Sequence, residues 1–145
     1  MIILDTNVIS ELMKEQPDSQ VKQWIGSQKP QDLALTAIAI AEITRGLSRL
    51  PKGKRRDILE QNFTAFVHDA FGGRIFPFDE EAALLYGALS ATREQAGMKA
   101  DPVDLMIASI AKNHNALIAT RNIKDFTGCE ITLINPWERR NSGKN

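Results

Sequence analysis

The chain has 145 residues, 43% of them hydrophobic and 25% charged, the balance of an ordinary folded domain. Lysine plus arginine and aspartate plus glutamate each number 18, so net charge points to no partner, and a single cysteine, Cys129, excludes an internal disulfide and any multi-cysteine zinc site. A chain this long buries roughly 68–70% of its unfolded surface and needs no disulfide or structural metal to fold.

The lone cysteine fits a reducing, cytoplasmic setting. Asp5 breaks the apolar start and no basic segment precedes it, so no signal peptide is expected. No apolar stretch is long enough to cross a bilayer.

Taken in order, Met1-Ile2-Ile3-Leu4 reads as a strand buried on both faces, with Asp5 where it stops and Thr6 or Asn7 as the cap of a short helix to about Met13. Gln16-Pro17-Asp18-Ser19 breaks that helix, and Asp18 or Ser19 caps another carrying Val21, Trp24 and Ile25. Gly26 and Pro30 punctuate the chain before a second strand at Leu33-Ala34-Leu35. Thr36 caps a helix over residues 37 to about 50, and Pro51-Lys52-Gly53 ends it. Residues 54–71 carry Ile58, Leu59, Phe63, Phe66 and Val67 at helical spacing, and Gly72-Gly73 stops them. A third strand is expected over 74–78, then a helix from Asp79 to about Ala96. Asp101-Pro102 opens the next helix, to His114. Leu117 to Thr120 is a fourth strand, 122–126 a turn, and Ile131 to Ile134 a fifth strand. The tail from Glu138 is polar and frayed. Strands alternating with helices predict an α/β domain with a parallel sheet covered on both faces.

Four acids stand out. Glu42 lies beyond the first turn of a helix that is apolar on nearly every side, so capping does not explain it; a carboxylate there needs a salt bridge, with Arg45 or Arg49 in reach, or a proton or a cation. Asp104 falls at the third helical position after the cap Asp101, where the helix dipole and a capping box favour an acid. Asp5 alone reads as a helix-start carboxylate, and Asp125 alone as a solvated turn residue. Their positions relative to a parallel sheet change this. Asp5 and the segment from Asn122 to Asp125 follow strands one and four, and open parallel sheets place their sites at the carboxyl ends of strands. Two carboxylates about 4 Å apart repel by roughly 4 kcal/mol at an effective dielectric near 20, so three or four gathered there imply a compensating cation. Hard oxygen ligands without cysteine or paired histidine favour Mg²⁺ or Mn²⁺. Such a site suits phosphoryl chemistry, in which a bound divalent ion orients and acidifies a water.

The stretch from Met1 to Ser10, Ala41-Glu42, Asp101-Pro102-Val103-Asp104 with Ile107-Ala108, and Ala119-Thr120-Arg121-Asn122 through Asp125-Phe126 together resemble the PIN domain, and within it the VapC/FitB group of bacterial type II toxins. Gly73 to Asp79 and Asn135-Pro136-Trp137 are also FitB-like. The resemblance covers residues 1–137, with 138–145 as a tail. It implies a three-layer α/β/α fold around a parallel sheet of about five strands, a Mg²⁺- or Mn²⁺-dependent ribonuclease, a homodimer, and a cognate antitoxin that masks the site and carries the complex to operator DNA. It assigns Asp5, Glu42 and Asp104 to the metal, with Thr6 orienting Asp5 by a hydrogen bond. FitB-like members often have aspartate directly after Thr-Arg; here Asn122 stands there and an acid follows at Asp125, so either could complete the site.

RNA requires cationic surface. Arg45, Arg49, Lys52, Lys54, Arg55 and Arg56 cluster beyond Glu42, and Arg121 lies near the fourth strand end. The same cluster could be a solvated helix end or could meet an acidic antitoxin segment. Leu12, Met13, Trp24 and the face from Ile58 to Val67 could contact a partner helix or simply pack in the core. Competing readings are a different Mg²⁺-dependent phosphohydrolase, disfavoured because Asn7 stands where a second aspartate is needed, a receiver-like module, which leaves Glu42 and Asp104 unexplained, and a non-catalytic PIN-like binding module.

Overall fold

The computed structural model describes residues 1–99 and 101–138, so the expected tail lies, from residue 139 on, outside the described residues. Eleven main elements alternate along the chain: β1 (Ile2–Leu4), α1 (Thr6–Leu12), α2 (Ser19–Gly26), β2 (Leu33–Thr36), α3 (Ala37–Ser48), α4 (Lys54–Phe71), β3 (Ile75–Phe76), α5 (Glu80–Gln95), α6 (Pro102–Asn113), β4 (Leu117–Ala119) and β5 (Leu133–Ile134). Short 3₁₀ turns at Pro30–Asp32 and Ile123–Phe126 precede β2 and follow β4.

The five strands form one parallel sheet in the order β3-β2-β1-β4-β5. The chain winds from β1 outward through β2 and β3, then crosses back to β4 on the other side. The reversal point therefore falls between β1 and β4, where an open α/β sheet leaves a crevice. Register is Ile3↔Ile118 and Leu4↔Ala119, and the Asp5 amide donates to the Ala119 carbonyl at 2.9 Å.

The strand sequences are apolar throughout because both faces are covered. Side chains still alternate: Ile3, Ala34 and Ile118 pack with α5 and α6, while Leu4, Leu33, Leu35 and Ala119 pack toward α1, α2, α4 and the inner side of α3. This gives the expected three layers. The third strand is shorter than expected, since Pro77 has no amide proton to extend the ladder. The fifth pairs only where β4 offers partners, Ile118↔Leu133 and Ala119↔Ile134.

Helix starts follow their capping residues. Asp18 caps α2 by accepting from Gln20 and Val21, Thr36 caps α3 through Ala39 at 3.0 Å, and Asp79 caps α5 through Ala82. Thr36 is fully buried, so its hydroxyl is the available partner for an amide that water does not reach. Thr36→Ala is expected to cost about 1–2 kcal/mol, read as a lower urea midpoint at unchanged m-value; an unaltered midpoint would show that α3 starts without this cap.

Candidate active site

Asp5 is only 3% exposed at the carboxyl end of β1, and it, not Thr6 or Asn7 as expected, is the N-cap of α1, because its carboxylate reaches the Thr6 amide and the helix already begins at Thr6. Its Oδ1 accepts from the Thr6 amide at 2.8 Å, and its Oδ2 accepts from the Thr120 hydroxyl at 2.8 Å and the Asn7 side-chain amide at 3.3 Å. Burial pushes its pKa upward, the bonds from Thr120 and Thr6 pull it down, and repulsion from Glu42 and Asp125 adds to the rise.

Glu42 projects from α3 toward the same end of the sheet. Its Oε1 accepts from the Thr6 hydroxyl at 2.7 Å. Thr6 thus bonds both acids: its backbone amide donates to Asp5, the hydrogen bond expected of it, and its hydroxyl holds Glu42. A salt bridge from Glu42 to Arg45 or Arg49 is not among the ion pairs of the described residues, which are Lys14–Glu11, Arg56–Glu60 and Lys112–Glu130.

Asp104 is half-buried at the third position of α6. Asp101 caps the helix by accepting from the Val103 amide at 2.8 Å, but Asp104 does not return the bond a capping box would require; among the described residues its carboxylate accepts no hydrogen bond. Its pKa is pushed up to about 7, first by burial, then by the negative charges of Asp5, Asp101, Asp125 and Glu42. Asp125 is exposed on the 3₁₀ turn after β4 and repels both Asp5 and Asp104. Asn122 opens that turn, its amide donating to the Thr120 hydroxyl at 3.0 Å while its side chain is exposed.

The structure therefore brings Asp5, Glu42, Asp104 and Asp125 into one electrostatic neighbourhood. As they stand, no three His, Cys, Asp or Glu side chains among the described residues are arranged to hold a metal ion. The donors are nonetheless all hard oxygens, and among the described residues none of these four carboxylates has a cationic partner. That combination suits a divalent, oxygen-seeking ion.

Two residues beyond the sequence expectations complete the scaffold. Thr120 is fully buried at the end of β4 and bridges Asp5 and the Asn122 amide. Asn7 donates to Asp5 and Thr120 and accepts from the Arg121 amide at 3.1 Å, joining the ends of β1 and β4. The available signal was positional: Thr120 follows β4 as Asp5 follows β1.

Arg121 is exposed, with its guanidinium 5.1 Å from the centre of the Trp137 ring. Arg45 and Arg49 are exposed farther along α3. A groove of about 990 Å³ runs from Thr6 and Glu42 between α1, α3 and α4, floored by Met13, Ile43, Leu47, Ile58 and Leu59 and edged by Lys14, Lys54 and Arg55. Of the apolar residues expected to meet a partner, Met13 and Ile58 thus line open space, whereas Phe63 and Val67 are core and Leu12 and Trp24 pack against it.

The sequence matches the PIN domain over residues 2–127. The chain belongs to the PIN-domain family. It is 42% identical to VapC ribonuclease Y4jK of Sinorhizobium fredii over 95% of this chain and 99% of that protein. It is 36% identical to toxin FitB of Neisseria gonorrhoeae over 94% and 99%. Among solved structures, a chain of FitAB bound to IR36 DNA fragment superposes with a TM-score of 0.91 at 35% identity, covering 98% of this chain and 99% of that one. This PIN domain thus carries its acids at the switch point of the sheet.

Two expectations follow. Thr120→Val keeps the shape of the side chain but strips a bond from a buried carboxylate, and should lower stability by about 2 kcal/mol in urea unfolding at pH 7; an unchanged midpoint would remove Thr120 from the scaffold. Asp104 has a folded pKa near 7, above its unfolded value of about 3.9. Between these values the folded protein binds more protons, so the group's contribution is fullest below the lower one and is lost as pH rises through 7. With EDTA at pH 8, Asp104→Asn should therefore be more stable than the parent by on the order of 1 kcal/mol after allowing for partial exposure, a Tm rise of about 2–4 °C that shrinks toward pH 4. A Tm difference independent of pH would contradict the raised pKa of Asp104.

Proposed function

We propose that this PIN domain is the toxin of a type II toxin–antitoxin pair, a ribonuclease that hydrolyses RNA phosphodiester bonds with Mg²⁺ or Mn²⁺ and is silenced by an antitoxin. The observation that carries the reading is the group of acids at the carboxyl ends of β1 and β4, without cationic partners among the described residues and raising one another's proton affinity.

Asp5, Glu42 and Asp104 would hold the ion, with Asn122 or Asp125 completing the site. The ion supplies charge neutralisation at the scissile phosphate and a water of lowered pKa. The chain's own part is placement. Thr6 holds two acids at once, through its amide and its hydroxyl. Thr120 and Asn7 fix Asp5 against rotation. Arg121 stands at the rim, its side chain braced by Trp137 for contact with a phosphate, and Arg45 and Arg49 extend the cationic surface along α3. Phosphate contacts of this kind give affinity that weakens with salt.

The apolar groove with its lysine and arginine edge suits an amphipathic antitoxin segment carrying acids beside its apolar face. Its mouth at Glu42 and Thr6 puts such a segment next to the acids, which explains how binding would block cleavage. The likeness to FitAB bound to a DNA fragment supports a toxin–antitoxin complex that reaches DNA; contact with operator DNA through the antitoxin and a toxin homodimer within the complex are what the family resemblance implies. We place the protein in the cytoplasm, where its RNA substrate is; among the described residues no helix is long and apolar enough to cross a membrane.

Purified protein with Mn²⁺ should cleave single-stranded or looped RNA, stop on addition of EDTA, and arrest growth when expressed without its antitoxin. Cleavage by an Asp5→Ala, Asp104→Ala double variant at the parent rate would falsify the assignment.

A further inference from the structure

The four acids are not held alike. Asp5 and Glu42 are fixed by side-chain and backbone donors. Asp104 and Asp125 accept no hydrogen bonds among the described residues, so their placement depends on the backbone that carries them. The segment that leads into α6 and the one that leaves the turn of Asp125 are both bonded by Arg93.

Arg93 lies on α5 and is only 4% exposed. It has no acid in ion-pair distance among the described residues. Its Nη2 donates to the Lys99 carbonyl at 2.9 Å and its Nη1 to the Thr127 carbonyl, while Nε is buried without a hydrogen-bond partner. Lys99 stands two residues before Asp101, the cap of α6, and Thr127 stands two residues after Asp125. The loops also run close together: a Cβ on Gly128 would sit 3.7 Å from the Met98 sulfur, and Gly128 itself has a φ of +83°.

A buried guanidinium with one orphaned donor is a poor source of stability, and well-packed apolar residues often serve as well or better in the place of buried charges. What an apolar residue cannot do is bind two carbonyls from separate loops at a separation set by a planar fork. We propose that Arg93 is a positioning residue that fixes the spacing of Asp104 and Asp125 and thereby tunes the affinity of the site for its divalent ion. The inference rests on the reading of these acids as a metal site and adds to it the clamp that sets two of them.

The test is Mn²⁺ titration of the full chain by calorimetry, beside RNA cleavage kinetics and Tm, for the parent, Arg93→Met, Arg93→Lys, Asp104→Asn and the core variant Phe63→Leu. Removal of the clamp is expected to weaken Mn²⁺ binding by about 10–100-fold and to lower kcat with little change in KM. Arg93→Lys, which can reach only one carbonyl, should fall between parent and Arg93→Met, and it carries the test if Arg93→Met does not fold. Phe63→Leu, on the other side of the sheet, should lower Tm without altering Mn²⁺ affinity. Parent-like Mn²⁺ affinity in both Arg93 variants, while Asp104→Asn loses it, would overturn the clamp and leave the metal site standing. The clamp would equally be overturned if Phe63→Leu lost as much affinity for the same fall in Tm. Mn²⁺ binding untouched by Asp104→Asn would overturn both.

Discussion

A carboxylate at the end of the central strand, 3% exposed and facing other acids, is the constraint around which this fold is arranged. Burial and repulsion both oppose its charge, and only directed donors offset them. Each donor comes from a segment that β1 or its neighbour β4 leads into: the Thr6 amide and Asn7 from the turn into α1, and the Thr120 hydroxyl from the end of β4. The parallel pairing of β1 and β4 is what sets these groups side by side. A register slip of one residue would turn Asp5 to the other face and separate them.

Asp104 carries a further cost: burial first, and repulsion from Asp5, Asp101, Asp125 and Glu42 after it, raise its pKa to about 7. Stability and activity pull against each other here: the arrangement that suits a divalent cation is unfavourable in its absence. Such a trade is what the proposed metal site would entail.

Much of the fold was legible in the sequence because each boundary has a local cause. Asp18, Thr36, Asp79 and Asp101 announce helix starts, and Gly72-Gly73 with Pro77 limits the segment around β3. The acids were legible for a related reason: Glu42 on an apolar helix and Asp5 after a buried strand are anomalies that packing alone does not explain. The partners of those acids were not legible. Which oxygen Thr6 donates to depends on the placement of α3 against α1, and the roles of Thr120 and Asn7 exist only once β1 and β4 are paired. Nor could the sequence separate groove from core along α4, where Ile58 and Phe63 share the same apolar character but face open space and interior respectively.

The groove and the acids share Glu42 and Thr6, so on the proposed function inhibition and catalysis would meet at the same two side chains. The central claim, however, is that the acids share a cation. Anomalous diffraction from crystals soaked in Mn²⁺ tests it most directly. The account predicts density within coordination distance of carboxylate oxygens of Asp5, Glu42 and Asp104, with Asn122 or Asp125 beside it. Density only at other surface sites, or none at saturating Mn²⁺, would contradict it.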